Sequence, residues 1–291
     1  MGAFVGWAIG SIALAVAFLG ACPTQAGQTA IPNYDTARNR FFWAQLYTDG
    51  GTELYCAAAF AAGERRAVGK SLSVEHAYPA DWIAEANGCV NRNECPIPEY
   101  GFAEADLHNL WPAISNINSS RQDLRFGEIP GEGARRFTDY CPDYERTQGA
   151  AAVVEPRDDV KGDLARSVFY MSVTYDLPLR GMGPMLVRWH AADPPDEIEQ
   201  WRNDLIEDLQ GTRNGFIDSP ETVRLLEMIE TNAAPADTPS ITAGELPMSP
   251  WVQEAQVTCC KVCRTGKACG NSCINRSYTC TKPPGCACDA P

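Results

Sequence analysis

The chain is short of positive charge and of histidine. Its 24 Lys and Arg oppose 37 Asp and Glu, a net charge of −13 at pH 7. That excludes a general long-range attraction for a polyanion, so any contact with nucleic acid must rest on a local basic patch and a bound cation. Histidine occurs three times, at 76, 108 and 190, which leaves imidazole chemistry few places to be. No internal repeat is visible. Beyond residue 26 no segment has the roughly 20 apolar residues needed to span a bilayer. The first 26 residues carry no charged side chain, and Phe4 to Leu19 is an apolar run of signal-peptide length that lacks the usual basic start. Residues 1–26 are therefore expected to be a signal. Leu19-Gly20-Ala21-Cys22 fits a lipoprotein box with Cys22 lipidated, Thr24-Gln25-Ala26 is a rival cleavage site, and a retained anchor is the third reading. Each predicts an exported chain: periplasmic, secreted or lipid-anchored.

Cysteine, by contrast, is abundant. Thirteen less Cys22 leaves twelve, the even number expected of an oxidising compartment. Cys56, Cys89, Cys95 and Cys141 lie in the body and eight crowd between Cys259 and Cys288, so two plus four disulfides are expected, with the pairing of the eight unreadable. In the tail Lys261, Arg264, Lys267, Arg276 and Lys282 oppose Asp289 alone, a net of +4, leaving −17 on the remainder. The tail's C-x-x-C and C-x-C spacings would also suit Zn²⁺, but export favours disulfides. The domain plan is residues 28–232 as one domain with a substantial core, 233–258 as an Ala/Pro/Thr-rich linker, and 259–291 as a cysteine-rich module too poor in apolar residues to fold without cross-links.

Within the body, Asp35 is a candidate N-cap for a helix carrying Ala37, Phe41, Ala44 and Leu46 on one side. Ser71 to His76 reads as a short strand and Asn87 to Pro98 as a loop that Cys89 and Cys95 could staple. Leu107 to Trp111 reads as a second strand, with Pro112 opening a helix through Arg121. Asp158 and Asp159 are placed to cap a helix with Val160, Leu164, Val168 and Met171 on one face. Another helix, DEIEQWRNDLIEDL, has Ile198, Trp201, Leu205, Ile206 and Leu209 at core spacing, and Ser219-Pro220 opens a third carrying Val223, Leu226 and Ile229.

The chemistry concentrates between Ser71 and Arg121. There SLSVEHAYPA supplies Glu75 and His76, and EADLHNLWPAISNINSSRQD supplies Glu104, Asp106, His108, Asn109 and Asn118. Carboxylate and amide oxygens are hard ligands suited to Mg²⁺ or Ca²⁺, and a neutral histidine can take a proton from water. Hydrolysis at a metal-bound phosphate follows from the combination. Neighbours on a regular strand face opposite sides, so Glu75 and His76 share a site only if the strand ends there, which Pro79 allows. With an unperturbed imidazole pKa of about 6.5, activity should fall below roughly pH 6.

With VEPRDDVKGDLARSVFYM and QGTRNGFID following in order, these motifs resemble the endonuclease I family of bacterial periplasmic and secreted nucleases, of the ββα-metal (His-Me finger) superfamily. The likeness spans residues 35 to 220. It implies an α+β fold: a ββα-metal core embedded in a mainly helical domain, here followed by a disulfide-rich module outside the usual family domain. It implies His76 as general base, Glu75 and Asn118 as metal ligands, Glu104 as support for the histidine, and Arg92 as the grip on the scissile phosphate. Asp106, His108 and Asn109 are read as orienting those groups. Lys161, Arg166, Arg213 and Asn214 are candidates for substrate contacts or for ordinary structural roles, and His190 is read as structural. The implied cofactor is Mg²⁺, with Ca²⁺ or Mn²⁺ as alternatives. The implied substrate is DNA, and RNA with it, cut without sequence preference to 5′-phosphate and 3′-hydroxyl ends. The rival reading is an inactive nuclease-like scaffold that binds a surface or partner through its tail. Oligomeric state is not legible.

Overall fold

The computed structural model describes residues 27–224 and 226 and, in the cysteine-rich segment, 261–263, 267–269, 272–274, 276, 280 and 287–289. The signal and linker expectations, and the helix positions beyond 226, lie outside the described residues.

Asn33, rather than Asp35, caps the first helix, its side-chain oxygen accepting from Thr36 N at 2.9 Å. Helix α1 starts as Tyr34–Thr36 and continues as a π helix over Ala37–Leu46, burying Phe42, Trp43 and Leu46. A hairpin of β1 (Gly50–Thr52) and β2 (Ala59–Ala61) follows. Gly50 has φ +87, and a Cβ there would lie 2.3 Å from the Phe60 carbonyl oxygen, so only glycine fits.

The central sheet has three antiparallel strands in the order β3 (Arg66–Ala67), β4 (Lys70–His76), β5 (Leu110–Ile114). Leu72 faces Ile114 at one end of the β4–β5 pair and His76 faces Leu110 at the other. Between these strands lie α2 (Ala80–Ala86), a short 3₁₀ turn at Arg92–Glu94 and α3 (Pro98–Glu104). Helix α4 (Ser115–Arg121) leaves β5 and packs back on β4. The expected strand, loop, strand and helix are present with shifted boundaries. Leu107–Asn109 is a 3₁₀ turn capped by Asp106, and Pro112 sits inside β5 rather than at a helix start. β5 is an edge strand, so a missing N–H costs it no ladder bond; the Pro112 carbonyl instead accepts from Leu54 N at 2.8 Å.

Short strands β6 (Arg125–Phe126), β7 (Glu145–Arg146) and β8 (Val153–Glu155) form a second small sheet. Helices α5 (Lys161–Tyr175), α6 (Gly183–Ala192), α7 (Glu197–Gln210) and α8 (Gly215–Asp218) complete the body. The fold is α+β, and one cluster of buried side chains runs from Ile31 to Val223. Asp158 and Asp159 do not cap α5; the Asp193 carboxylate accepts from Gly162 N at 2.8 Å instead.

Helix α7 follows its apolar spacing at Leu205, Ile206 and Leu209, which meet the core, but not at its start. Ile198 is 70% exposed and Trp201 55%, whereas Glu199, Arg202, Asn203, Ile206 and Gln210 are buried. The polar side chains have specific partners. Arg202 donates to the carbonyls of Leu107 and Leu110, each at 2.6 Å, and its guanidinium lies 4.0 Å from the Trp111 ring centroid. Glu199 pairs with Arg166, and Gln210 serves Leu107 N and Asp106. Six backbone and ionic contacts outweigh the burial of two apolar side chains, each worth about 1.5–3 kcal/mol.

The body cysteines form Cys56–Cys141 and Cys89–Cys95, and in the tail Cys269 bonds Cys280 while Cys263 and Cys288 are also disulfide-bonded.

Candidate active site

β4 ends at His76 because the next residues are turned away by Asn109. Its Oδ1 accepts from Tyr78 N at 2.7 Å, its Nδ2 donates to Tyr78 O at 2.9 Å, and its carbonyl accepts from Ala77 N at 3.0 Å. Glu75 and His76 consequently open on one cavity of about 670 Å³, whose walls also include Tyr34, Ser73, Arg92 and Asn118.

Glu75 is 2% exposed. Tyr55 Oη donates to its Oε1 at 2.8 Å and Arg121 Nη1 lies 3.1 Å from the same atom, so Oε2 is the oxygen left for a cation. Burial pushes its pKa up, with the Arg121 charge and the Tyr55 bond opposing. Arg121 is itself buried and donates to the carbonyls of His76 and Ala77 at 2.9 and 2.8 Å. On α4, Asn118 uses its amide hydrogens on Ser73 Oγ at 3.1 Å and Val74 O at 3.0 Å. Its amide oxygen is thereby the free acceptor, in the same cavity as Glu75.

His76 Nε2 lies 3.1 Å from the Glu104 carbonyl oxygen. A carbonyl can only accept, so Nε2 carries the hydrogen and Nδ1 holds the basic lone pair. Burial lowers the imidazole pKa to about 3, with the Arg92 charge acting in the same direction. The imidazole therefore stays neutral well below the roughly pH 6 limit expected of an ordinary histidine. The Glu104 side chain accepts from Arg92 Nη2 at 3.0 Å, and burial pushes its pKa up. Arg92 stands on the loop closed by Cys89–Cys95, one third exposed and facing the cavity.

The other candidates are not brought to this cavity. Asp106 is fully buried beneath it: Oδ1 accepts from His108 N at 2.9 Å and Gln210 Nε2 at 2.8 Å, and Oδ2 from Tyr170 at 2.9 Å and Tyr175 at 2.6 Å. His108 Nε2 donates to Thr212 O at 3.0 Å, and burial lowers its pKa to about 4. Both side chains are thus spent on internal hydrogen bonds that tie this segment to α5, α7 and the Thr212 loop. Lys161 is held by Glu155 and Asp158, buried Arg166 by Asp163 and Glu199, and Arg213 by Asp204, Glu207 and Asp218. Asn214 caps α8 by accepting from Phe216 N at 3.0 Å. Among the described residues these four are internal tethers and none lines the cavity. His190 is likewise tied down, Nε2 donating to Pro220 O at 2.9 Å.

Sequence reasoning passed over Arg121, Tyr55 and Tyr34. Arg121 had a signal, since it stands three residues after Asn118 and so on the same helix face. Tyr55 lies in an apolar run that gives none.

The sequence model of the Endonuclease I family matches residues 33–221. The chain is 36% identical over 135 residues to an extracellular ribonuclease of Bacillus subtilis (strain 168), covering 40% of this chain and 44% of that protein. It is 33% identical over 150 residues to an extracellular deoxyribonuclease of Aeromonas hydrophila, covering 50% and 64%. To Endonuclease-1 of Buchnera aphidicola subsp. Acyrthosiphon pisum (strain APS) it is 30% identical over 148 residues, covering 49% and 58%. The match thus spans about half the length of these curated relatives. Because the family's sequence model covers well over half of the chain, from the start of α1 through α8, the chain belongs to the Endonuclease I family.

Proposed function

We propose that this protein is an exported, metal-dependent, sequence-nonspecific endonuclease that hydrolyses phosphodiester bonds of DNA, and of RNA, leaving 5′-phosphate and 3′-hydroxyl ends. The observation that carries the reading is the shared cavity of Glu75, His76, Arg92 and Asn118. Family membership supports the reaction class, and relatives named for DNA and for RNA support a substrate defined by its backbone. Extracellular and periplasmic relatives and the disulfides support export. On this reading β4, β5 and α4 are the ββα-metal core of a nuclease domain over 28–232. The cysteine module, joined by the 233–258 linker, and lipidation at Cys22 would then govern where the enzyme is held.

Among the described residues no group of three or more His, Cys, Asp or Glu is placed to hold a metal. A cation here rests on Glu75 Oε2 and the Asn118 amide oxygen, a hard, oxygen-only pair that fits Mg²⁺ (or Ca²⁺ or Mn²⁺) and leaves positions for phosphate and water. When bound, the ion would supply positive charge against the negative charge that develops on the phosphate oxygens and the leaving 3′ oxygen. His76 Nδ1 takes the proton of the attacking water, while Nε2–H, donating to the Glu104 carbonyl, fixes the ring. Arg92, oriented by the Glu104 carboxylate, binds a non-bridging phosphate oxygen. Contacts to phosphate alone carry no base information, hence the lack of sequence preference.

The test is plasmid nicking by the wild-type chain and His76→Ala, with and without EDTA. Nicking that EDTA stops and His76→Ala reduces by about 10²-fold or more is expected. Cutting by the variant at the wild-type rate contradicts the base assignment; a wild-type chain that never nicks favours the inactive scaffold.

A further inference from the structure

A second open cavity, about 610 Å³, lies at the β3–β4 hairpin, lined in part by Phe60, Glu64, Arg65, Arg66, Val68 and Gly69. Arg65, Arg66 and, just beyond the turn, Lys70 are all exposed. Among the described residues these three form no ion pair, and Arg66 Nη2 donates to the Gly69 carbonyl across the turn at 2.5 Å. Two of them lie against aromatic rings: the Arg65 guanidinium is 5.4 Å from the Trp43 centroid and Lys70 Nζ is 4.9 Å from that of Tyr140. Such stacking fixes the stem and leaves the charge toward solvent.

The turn carries a second signal. Val68 has φ +44 and Gly69 φ +75, the pair of positive angles of a type I′ turn. Glycine accepts this freely, whereas a β-branched residue there is strained by about 1–3 kcal/mol. Val68 is 56% exposed, so packing does not explain its presence. Strain of this kind concentrates at functional turns.

The place of the hairpin links it to the catalytic cavity. β4 starts at Lys70 and ends at His76, about 20 Å at 3.3 Å per residue. α1 runs between the same two places: the Tyr34 ring is 5.0 Å from His76, and Trp43 underlies Arg65. We propose that the β3–β4 hairpin is a remote phosphate-backbone subsite, in which Arg65, Arg66 and Lys70 bind the nucleic-acid strand about six nucleotides from the bond being cut, at about 3.4 Å per nucleotide. The proposal rests on the nuclease reading and extends it: substrates shorter than this reach gain nothing from the patch.

The experiment compares the full chain with the triple variant Arg65→Ala/Arg66→Ala/Lys70→Ala. Substrates are a 20-base-pair duplex and bis(p-nitrophenyl) phosphate, which is small enough to meet only the catalytic cavity. On the duplex at 0.1 M salt the variant should lose about tenfold or more in kcat/KM, and its log–log salt slope should be shallower by about 2.7 if all three side chains contact phosphate, at roughly 0.9 per contact. On the small ester it should match wild type. Unchanged duplex cleavage and salt slope overturn the proposal, as does an equal loss on both substrates. If wild type cuts neither, the nuclease reading itself has failed. Anisotropy of a fluorescent duplex in EDTA still tests the patch, where equal Kd for both chains overturns it and at least tenfold weaker binding by the variant supports it.

Discussion

Asp106 shows how much of this site is held by a residue that never touches substrate. Its two oxygens collect four donors, from His108, Gln210, Tyr170 and Tyr175, and so join the 3₁₀ turn before β5 to α5 and α7. Asp106→Ala removes the acceptor shared by four donors, of which Tyr170 and Gln210 also reach Thr212 Oγ1 at 3.2 and 2.7 Å, and should cost about 2 kcal/mol or more in urea unfolding; a loss under 1 kcal/mol would show that the network relaxes. The histidines set a pH window for stability. His76 and His108 have folded pKa values of about 3 and about 4, both lowered from 6.5, and His190 is lowered too, burial being the leading cause each time. The unfolded chain thus binds protons that the folded chain refuses. Stability should be full above about pH 6.5 and fall as pH drops from there toward 4, by up to about 1.4 kcal/mol per pH unit for each histidine. Glu53, Glu75, Glu104 and Asp163, whose pKa values burial raises above the ordinary carboxylate range, bind protons on folding and oppose this decline in the lower part of the same window. Thermal melts from pH 7.5 to 5.5 should show the decline, and His108→Gln should flatten it by about one proton; identical melts across that range would contradict it.

At the scale of the element, two short loops carry separable roles. The Cys89–Cys95 bridge closes a loop of six residues' separation around Arg92. Cys89→Ser/Cys95→Ser should cost about 2 kcal/mol of stability and raise KM for DNA more than it lowers kcat, read by steady-state kinetics; unchanged KM would mean that Arg92 needs no such anchor. The Cys56–Cys141 bridge, 85 residues apart, should be worth about 4–5 kcal/mol on the same loop-entropy argument. In the β3–β4 turn, Val68→Asn suits the left-handed backbone and should stabilise by about 1 kcal/mol; a lower Tm would show that Val68 is not strained there. The element scale also marks what the sequence makes legible. The Glu75-His76 strand, the stapled loop and the Asn118 helix are local, written in turn residues and spacing, and they are where expected. Helix α7 is where expected and Leu205, Ile206 and Leu209 meet the core, but the rest of its inward face is chosen by Arg202, Glu199 and Gln210 reaching partners 33 to 103 residues away in sequence. Periodicity sees Ile198 and Trp201 as core and cannot see a carbonyl of Leu107 waiting for a guanidinium. Likewise Pro112 signals a helix start locally, and only the position of β5 at the sheet edge admits it to a strand.

For the whole molecule, the tension is between an acidic body and a polyanionic substrate. With a net charge of −13, affinity for DNA on the proposed reading would come from few contacts: a cation on Glu75 and Asn118, Arg92 at the cavity, and the Arg65, Arg66 and Lys70 charges of the β3–β4 hairpin. The central claim is that one imidazole and one divalent ion act on the same phosphodiester from separate residues. It is tested most directly by titrating Mn²⁺, a spectroscopic stand-in for Mg²⁺, into wild type, Glu75→Gln, Asn118→Ala and His76→Ala, with plasmid nicking measured on the same samples. Glu75→Gln and Asn118→Ala should each weaken ion binding by about tenfold or more, whereas His76→Ala should bind within about twofold of wild type and yet fail to cut. Equal ion affinity in all four proteins, or a loss confined to His76→Ala, would contradict it.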